Sequence, residues 1–106
     1  MKTLLLFLLA PVIMMAAEQT ATFKVSGNCN SCKKTITKAA NAVNGVQSSN
    51  WDKNTKIATV VYDDATAKLP EIKQAIVNAG YDVENIKATD EAYNKLHSCC
   101  KYRGKE

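Results

Sequence analysis

Two cysteines stand three residues apart in the segment Gly27-Asn28-Cys29-Asn30-Ser31-Cys32. They lie where a predicted strand ends and a predicted helix takes its first turn. At that place unpaired backbone N–H groups and the helix dipole stabilise anionic sulfur and lower the pKa of a thiol. Soft thiolates favour soft, low-coordinate ions, so Cys29 and Cys32 suit Cu(I) or Hg(II). Two sulfurs do not fill the four-coordinate shell of a structural zinc site.

The same spacing fits two other chemistries. In an exported protein Cys29 and Cys32 could form a structural disulfide, and beside a strand–helix unit they could be a redox pair of the thioredoxin kind. No proline lies between or beside them, which disfavours the redox pair. Thiol–disulfide exchange by the same two cysteines remains the alternative function.

A second group of candidate ligands lies at His97-Ser98-Cys99-Cys100. Cys99 and Cys100 could form a vicinal disulfide, pair with another chain, or join His97 in holding an ion. A predicted last strand over residues 81–87 would carry the chain about 23 Å from the first cysteines. A short helix after it recovers only about 12 Å, so we expect the tail to end short of Cys29. Zinc becomes competitive only if the tail cysteines join the pair.

The charged residues point to neither an enzyme nor a nucleic-acid-binding protein. Asp63-Asp64 has no paired base, and the chain contains a single histidine. The net charge of +4 comes from scattered basic residues without interleaved aromatics. Lys33, Lys34 and Lys38 form either a solvated helix face or a positive surface for an acidic partner.

The first residues have the pattern of a secretory signal peptide. Lys2 is followed by an apolar run over residues 4–15, interrupted only by Pro11, and then by the small pair Ala16-Ala17. A membrane span needs roughly 20 apolar residues, which this run does not supply. We therefore predict a signal peptide over residues 1–17 and a mature protein that is exported, in a periplasm or an equivalent compartment, and is not embedded in a membrane. A retained N-terminal anchor is the alternative.

The rest of the chain alternates between strand and helix patterns. Strands are predicted over residues 20–25, 46–52, 57–62 and 81–87. Helices are predicted over residues 31–43, from Leu69-Pro70 to Gly80, and over residues 89–96. The order β-α-β-β-α-β predicts an α+β, ferredoxin-like sandwich, with two helices on one face of a four-stranded antiparallel sheet and a short helical tail.

This order also predicts the domain boundaries and the place of the tail. Residues 18–88 form the domain, and residues 89–106 form a tail that carries the His-x-Cys-Cys motif. Because two helices cover only one face of the sheet, the other face must be polar or covered. Trp51, Tyr93 and Leu96 are candidates for that cover, so we expect the tail to dock there.

Four segments together carry a family resemblance. They are Val25-Ser26-Gly27-Asn28-Cys29-Asn30-Ser31-Cys32, Asn44-Gly45-Val46, Val61-Tyr62-Asp63-Asp64 and Asn78-Ala79-Gly80-Tyr81. With them, residues 19–87 resemble a heavy-metal-associated domain. Within that family the chain is most similar to periplasmic mercuric-ion-binding components of mercury transport systems, and next to soluble copper chaperones.

The resemblance implies that Cys29 and Cys32 hold Cu(I) or Hg(II) and pass it to a membrane transporter by ligand exchange. It places Tyr81 beside the metal loop. Two features depart from the family pattern. Members usually have a methionine before the first cysteine that packs under the loop, whereas Asn28 here directly follows Gly27. The tail with His97, Cys99 and Cys100 lies beyond the usual domain.

Overall fold

The computed structural model describes residues 17–104. Its strands are β1 (Glu18–Lys24), β2 (Val46–Trp51) and β3 (Ile57–Asp63). Its helices are α1 (Asn30–Asn41), α2 (Leu69–Asn78) and α3 (Asp90–Asn94), followed by a 3-10 turn over Ser98–Cys100. The predicted signal peptide lies outside the described residues apart from Ala17. No helix within residues 17–104 combines the length and the apolar character that a membrane span requires.

The sheet is antiparallel, with the strand order β1-β3-β2. Ala21 pairs with Val60 and Trp51 pairs with Ala58, so the inward residues of the strands are in register. Along β3 the side chains of Ala58, Val60 and Tyr62 are buried, as the alternating pattern predicts. They form one core with the apolar stripes of α1 and α2. The predicted α+β sandwich is confirmed.

The two long helices follow the predicted periodicity. Ile36 and Ala40 of α1 are buried, and so are Ile72 and Ile76 of α2. Proline occupies the first turn of α2, where its missing N–H costs no hydrogen bond. The helix is followed by Gly80 at φ +110°, a conformation that glycine adopts without steric cost.

The fourth strand of the predicted sheet is reduced to isolated bridges, Val25 with Val83 and Val83 with Ile86. The chain reverses there. The N–H of Val83 donates to the Ile86 carbonyl at 2.9 Å, and the N–H of Ile86 donates to the Val83 carbonyl at 2.8 Å. Glu84 stands inside this turn at φ 53°. Residues 82–84 pair only briefly with the end of β1, where the N–H of Ser26 donates to the Asp82 carbonyl at 3.0 Å and the N–H of Glu84 donates to the Lys24 carbonyl at 2.9 Å. Residues 17–104 thus form three strands, and the predicted fourth strand over residues 81–87 is not confirmed.

After this reversal the tail folds back against the segment that follows α2. Tyr102 is fully buried, its ring stacked on Tyr81 at 5.7 Å and met edge-on by Tyr93 at 5.1 Å. The Tyr102 hydroxyl donates to the Gly80 carbonyl at 2.9 Å and accepts from the Asp82 N–H at 2.9 Å. One side chain thus satisfies two backbone groups that would otherwise be buried without partners.

Arg103 fixes the end of the tail to the same segment. Its guanidinium contacts the carboxylates of Asp82 and Asp90, each at 3.0 Å, and lies over the ring of Tyr93. Burial raises the pKa of Asp82, but the N–H of Ala88 and the guanidinium of Arg103 outweigh it and hold that pKa below its usual value. Asp82 therefore stays ionised and paired.

The tail docks, but the prediction that it covers the open face of the sheet is wrong. Trp51 is 1% exposed and lies on the helix side, because it shares its face of β2 with Ser49, whose hydroxyl contacts α1. Leu96 packs at Gly80 instead. The open face carries mostly exposed polar side chains, among them Thr20, Thr22, Lys24, Ser48 and Asn50. A polar face needs no cover, so the tail buries its aromatic residues elsewhere.

The hydroxyl of Tyr102 gives a test of this docking. We expect Tyr102→Phe to lower the free energy of unfolding by about 1–3 kcal/mol, because the buried N–H of Asp82 loses its acceptor. Urea denaturation measures the change. Tyr62→Phe is the control, since the Tyr62 hydroxyl bonds to no group within residues 17–104, and it should leave stability nearly unchanged. Equal losses in both variants would contradict the docking.

Candidate metal centre

The two cysteines predicted from their spacing meet at the start of α1. Cys29 is the N-cap residue, and its carbonyl accepts the N–H groups of Cys32 at 3.0 Å and Lys33 at 3.1 Å. The Sγ atoms of Cys29 and Cys32 are 3.6 Å apart. Cys29 is half-buried, whereas Cys32 is fully buried in the core. One thiol is therefore accessible and the other is fixed by packing.

Asn28 orients the buried thiol. The Cys32 Sγ donates to the Asn28 side-chain oxygen at 3.1 Å, and the Asn28 N–H lies 3.4 Å from the same sulfur. In the sequence this asparagine stood out only as a departure from the family pattern. Its function as a partner of Cys32 depends on loop geometry, and no spacing rule indicates it.

Trp51 packs beneath the loop that joins β1 to α1, residues 25–29. A Cβ at Gly27 would lie 2.8 Å from Cζ2 of Trp51 and 3.3 Å from the Cβ of Cys32, so only glycine fits there. The Trp51 indole N–H donates to the Val25 carbonyl at 3.0 Å. The ammonium of Lys56 donates to the Gly27 carbonyl. The position of the loop thus depends on the side chain of Trp51 at the end of β2, which the sequence analysis assigned to the other face of the sheet.

The tail brings a third cysteine to this pair. The Sγ of Cys100 is 3.9 Å from that of Cys29, and the Cys29 thiol donates to the Cys99 carbonyl at 3.4 Å. The sulfurs of Cys29, Cys32 and Cys100 all lie within 4.8 Å of one another. The prediction that the tail ends short of Cys29 is wrong, because the turn at Val83 and Ile86 replaces the long strand on which that prediction depended.

The two other tail candidates stay outside this group. Cys99 is exposed, with its Sγ 4.0 Å from that of Cys100, and His97 is exposed as the residue before the 3-10 turn. Neither belongs to the group of three sulfurs. The described residues therefore do not assemble the four-sulfur arrangement that would make zinc competitive.

Tyr81 lies beside the thiols of Cys32 and Cys100. Its side chain is fully buried, and its hydroxyl has no hydrogen-bond partner among residues 17–104. Burial raises its pKa, and the neighbouring thiols of Cys100 and Cys32 raise it further. A buried hydroxyl left without a partner costs about 1–3 kcal/mol. The nearest polar groups to this hydroxyl are therefore the thiols of the cysteine group.

The pKa values of Cys29 and Cys100 are shifted in opposite directions. Burial raises the pKa of Cys29, but hydrogen bonding with Cys32, Cys99 and Ser31 outweighs it and lowers that pKa to about 7. For Cys100 the balance is reversed, since burial and the neighbouring thiol of Cys32 raise its pKa. At neutral pH Cys29 supplies the thiolate that reacts first.

A family model of the heavy-metal-associated domain matches residues 22–82, more than half of the chain. The chain belongs to the heavy-metal-associated domain family. It is 38% identical over 85 residues to the periplasmic component of a mercuric transport protein from Shewanella putrefaciens, covering 76% of this chain and 93% of the relative. It is 40% identical over 73 residues to the protein of the same name from Serratia marcescens, covering 68% and 78%.

Solved structures of heavy-metal-associated domains have the same fold. Oxidised MerP from Ralstonia metallidurans aligns with a TM-score of 0.61 at 35% identity, over 64% of this chain and 96% of that one. The CopZ metallochaperone aligns with a TM-score of 0.60 at 32% identity, over 61% and 98%. The shared region is the domain, and these relatives are named for transport and chaperone functions rather than for catalysis.

The lowered pKa of Cys29 gives a second test. We expect iodoacetamide to modify Cys29 first in the reduced, metal-free chain, with a rate that rises with pH around a midpoint near 7, because the thiolate is the nucleophile. Cys100 should react slowly over this range. Peptide mass spectrometry measures both rates. In urea the midpoint for Cys29 should move up towards that of an ordinary thiol, and an unchanged midpoint would contradict the assignment.

Proposed function

We propose that this chain is an exported carrier of a soft metal ion, Cu(I) or Hg(II), which it binds on Cys29 and Cys32 and passes to a membrane transporter. The observation that carries the proposal is the pair of sulfurs 3.6 Å apart at the start of α1, of which one is accessible and has a lowered pKa. The names of the relatives support transport of this kind of cargo.

Loading begins at Cys29 because its thiol is the half-buried one of the pair and has a lowered pKa. Its thiolate captures the ion, and the Cys32 thiol then loses its proton and becomes the second ligand. Lys33 and the positive end of the α1 dipole offset the charge of the two sulfurs. Softness, rather than the shape of the site, selects Cu(I) or Hg(II) over hard cations.

Unloading proceeds by ligand exchange. An incoming thiolate from the transporter bonds to the ion, one protein sulfur leaves and takes up a proton, and the oxidation state of the ion does not change. Lys33, Lys34 and Lys38 on α1 either remain solvated or face an acidic surface of that transporter. In either case the chain is a carrier rather than an enzyme.

The proposal extends to the layout of the chain. Residues 1–17 are the signal peptide, residues 18–88 are the metal-carrying domain, and residues 89–106 are a tail attached to it. The periplasmic relatives support export. The tail residues His97 and Cys99 are not ligands in this proposal, because both are exposed and lie outside the group formed by the sulfurs of Cys29, Cys32 and Cys100.

Metal uptake by the purified, reduced chain tests the proposal. We expect a single Hg(II) or Cu(I) per chain, with the fluorescence of the only tryptophan, Trp51, changing on titration because its ring lies under the loop. The double variant Cys29→Ser/Cys32→Ser should lose this uptake. Cys99→Ser is the matched control and should bind as the unmodified chain does. Competition between Hg(II) and Cu(I) under reducing conditions then determines the preferred ion.

The alternative of thiol–disulfide exchange gives the opposite pattern. A chain that catalyses insulin reduction and takes up no ion at micromolar exposure would overturn the carrier function in favour of the redox pair. Equal uptake by the double variant would also overturn it, since the ion would then be bound elsewhere.

A further inference from the structure

The spacing of the three sulfurs matches a three-coordinate ion better than a two-coordinate one. Metal–thiolate bonds of about 2.3 Å place the sulfurs of a planar, trigonal site about 4 Å apart, and those of a linear site about 4.6 Å apart. The Sγ of Cys29 lies 3.6 Å from that of Cys32 and 3.9 Å from that of Cys100. Linear coordination by Cys29 and Cys32 would require the two sulfurs to separate by about 1 Å, whereas trigonal coordination changes the two distances from the Cys29 sulfur by only about 0.4 and 0.1 Å.

We propose that Cys100 is a third ligand, so that the tail converts the two-sulfur site of the domain into a trigonal three-sulfur site. This inference rests on the carrier function proposed above. It adds a ligand from outside residues 22–82, the segment that the family model covers. Each thiol that binds the ion releases one proton, and no redox step is involved.

Cys100 is held in position before any ion arrives. It is 2% exposed, its N–H donates to the His97 carbonyl at 2.8 Å, and it lies two residues before the buried Tyr102. Tyr102 and Arg103 are both anchored to the segment after α2. A ligand that is already ordered loses little conformational freedom on binding, so its contribution to affinity is retained.

The Tyr81 hydroxyl is a hydrogen-bond donor placed beside these sulfurs. Its hydroxyl is fully buried, has no partner among the described residues, and neighbours the thiols of Cys32 and Cys100. A thiolate is a stronger hydrogen-bond acceptor than a thiol. When an ion converts these two thiols to thiolates, the Tyr81 hydroxyl gains an acceptor, and a donor of this kind orients the ligands of a metal site.

Cys99 provides a matched control within the same tail. It is the same residue type, next in the chain to Cys100, but it is exposed and outside the sulfur group. X-ray absorption of the reduced chain loaded with less than one equivalent of Hg(II) counts the sulfurs around the ion. We expect three sulfurs in the unmodified chain and in Cys99→Ser, and two in Cys100→Ser.

Affinity gives a second measurement on the same proteins. In competition with dithiothreitol, Cys100→Ser should bind Hg(II) about tenfold or more weakly than the unmodified chain, because the tether supplies the third thiol at a high effective concentration. Cys99→Ser should stay within about twofold. Circular dichroism checks the folding of each variant, and three sulfurs in Cys99→Ser identify Cys100 as the third ligand even if Cys100→Ser does not fold.

The outcomes that overturn this inference differ from those that overturn the carrier function. Two sulfurs around the ion in the unmodified chain, with uptake abolished by Cys29→Ser/Cys32→Ser, would reject Cys100 as a ligand and leave the carrier function intact. Four sulfurs, of which one is lost in Cys99→Ser, would also reject the trigonal site. An unmodified chain that binds no Hg(II) would reject both proposals.

Discussion

The first turn of α1 is the constraint on which the site depends. The backbone carbonyl of Cys29 accepts the N–H groups of Cys32 and Lys33, and its sulfur lies beside those of Cys32 and Cys100. Cys32, one turn further, must then point into the core, where it is fully buried. A spacing of three residues at a helix start therefore does two things at once. It brings two sulfurs together and makes them unequal in exposure.

The segment after α2 carries a second part of the architecture. The Gly80 carbonyl accepts from the Tyr102 hydroxyl, and the N–H of Asp82 donates to the same hydroxyl. The Asp82 carboxylate pairs with Arg103, and Tyr81, between these two residues, lies beside the sulfurs. These consecutive residues couple the domain to its tail, so the position of Cys100 is set by the same backbone that places Tyr81. Loss of the tail anchor would therefore move a sulfur as well as reduce stability.

Local periodicity made most of the fold predictable. The alternation in β3 and the stripes of α1 and α2 depend on neighbouring residues, and all three were correct. The reversal at Val83 and Ile86 was missed because its left-handed residue is Glu84, and glutamate gives no turn signal. Because of that turn, the tail runs back to Cys29 rather than ending short of it. The support of the loop by Trp51 was missed for a related reason, since contacts between residues far apart in sequence leave no periodic trace.

In the proposed carrier, the exposure of the three sulfurs determines where ligand exchange begins. Cys32 and Cys100 are both buried, and Cys29 is the half-buried member that an incoming thiolate can reach. Exchange that begins at Cys29 leaves the ion on two sulfurs that solvent does not reach, so premature loss to water is disfavoured while transfer to a docked thiol remains open. The combination of a fixed thiol, an accessible thiol and a tethered thiol therefore reconciles retention with handover.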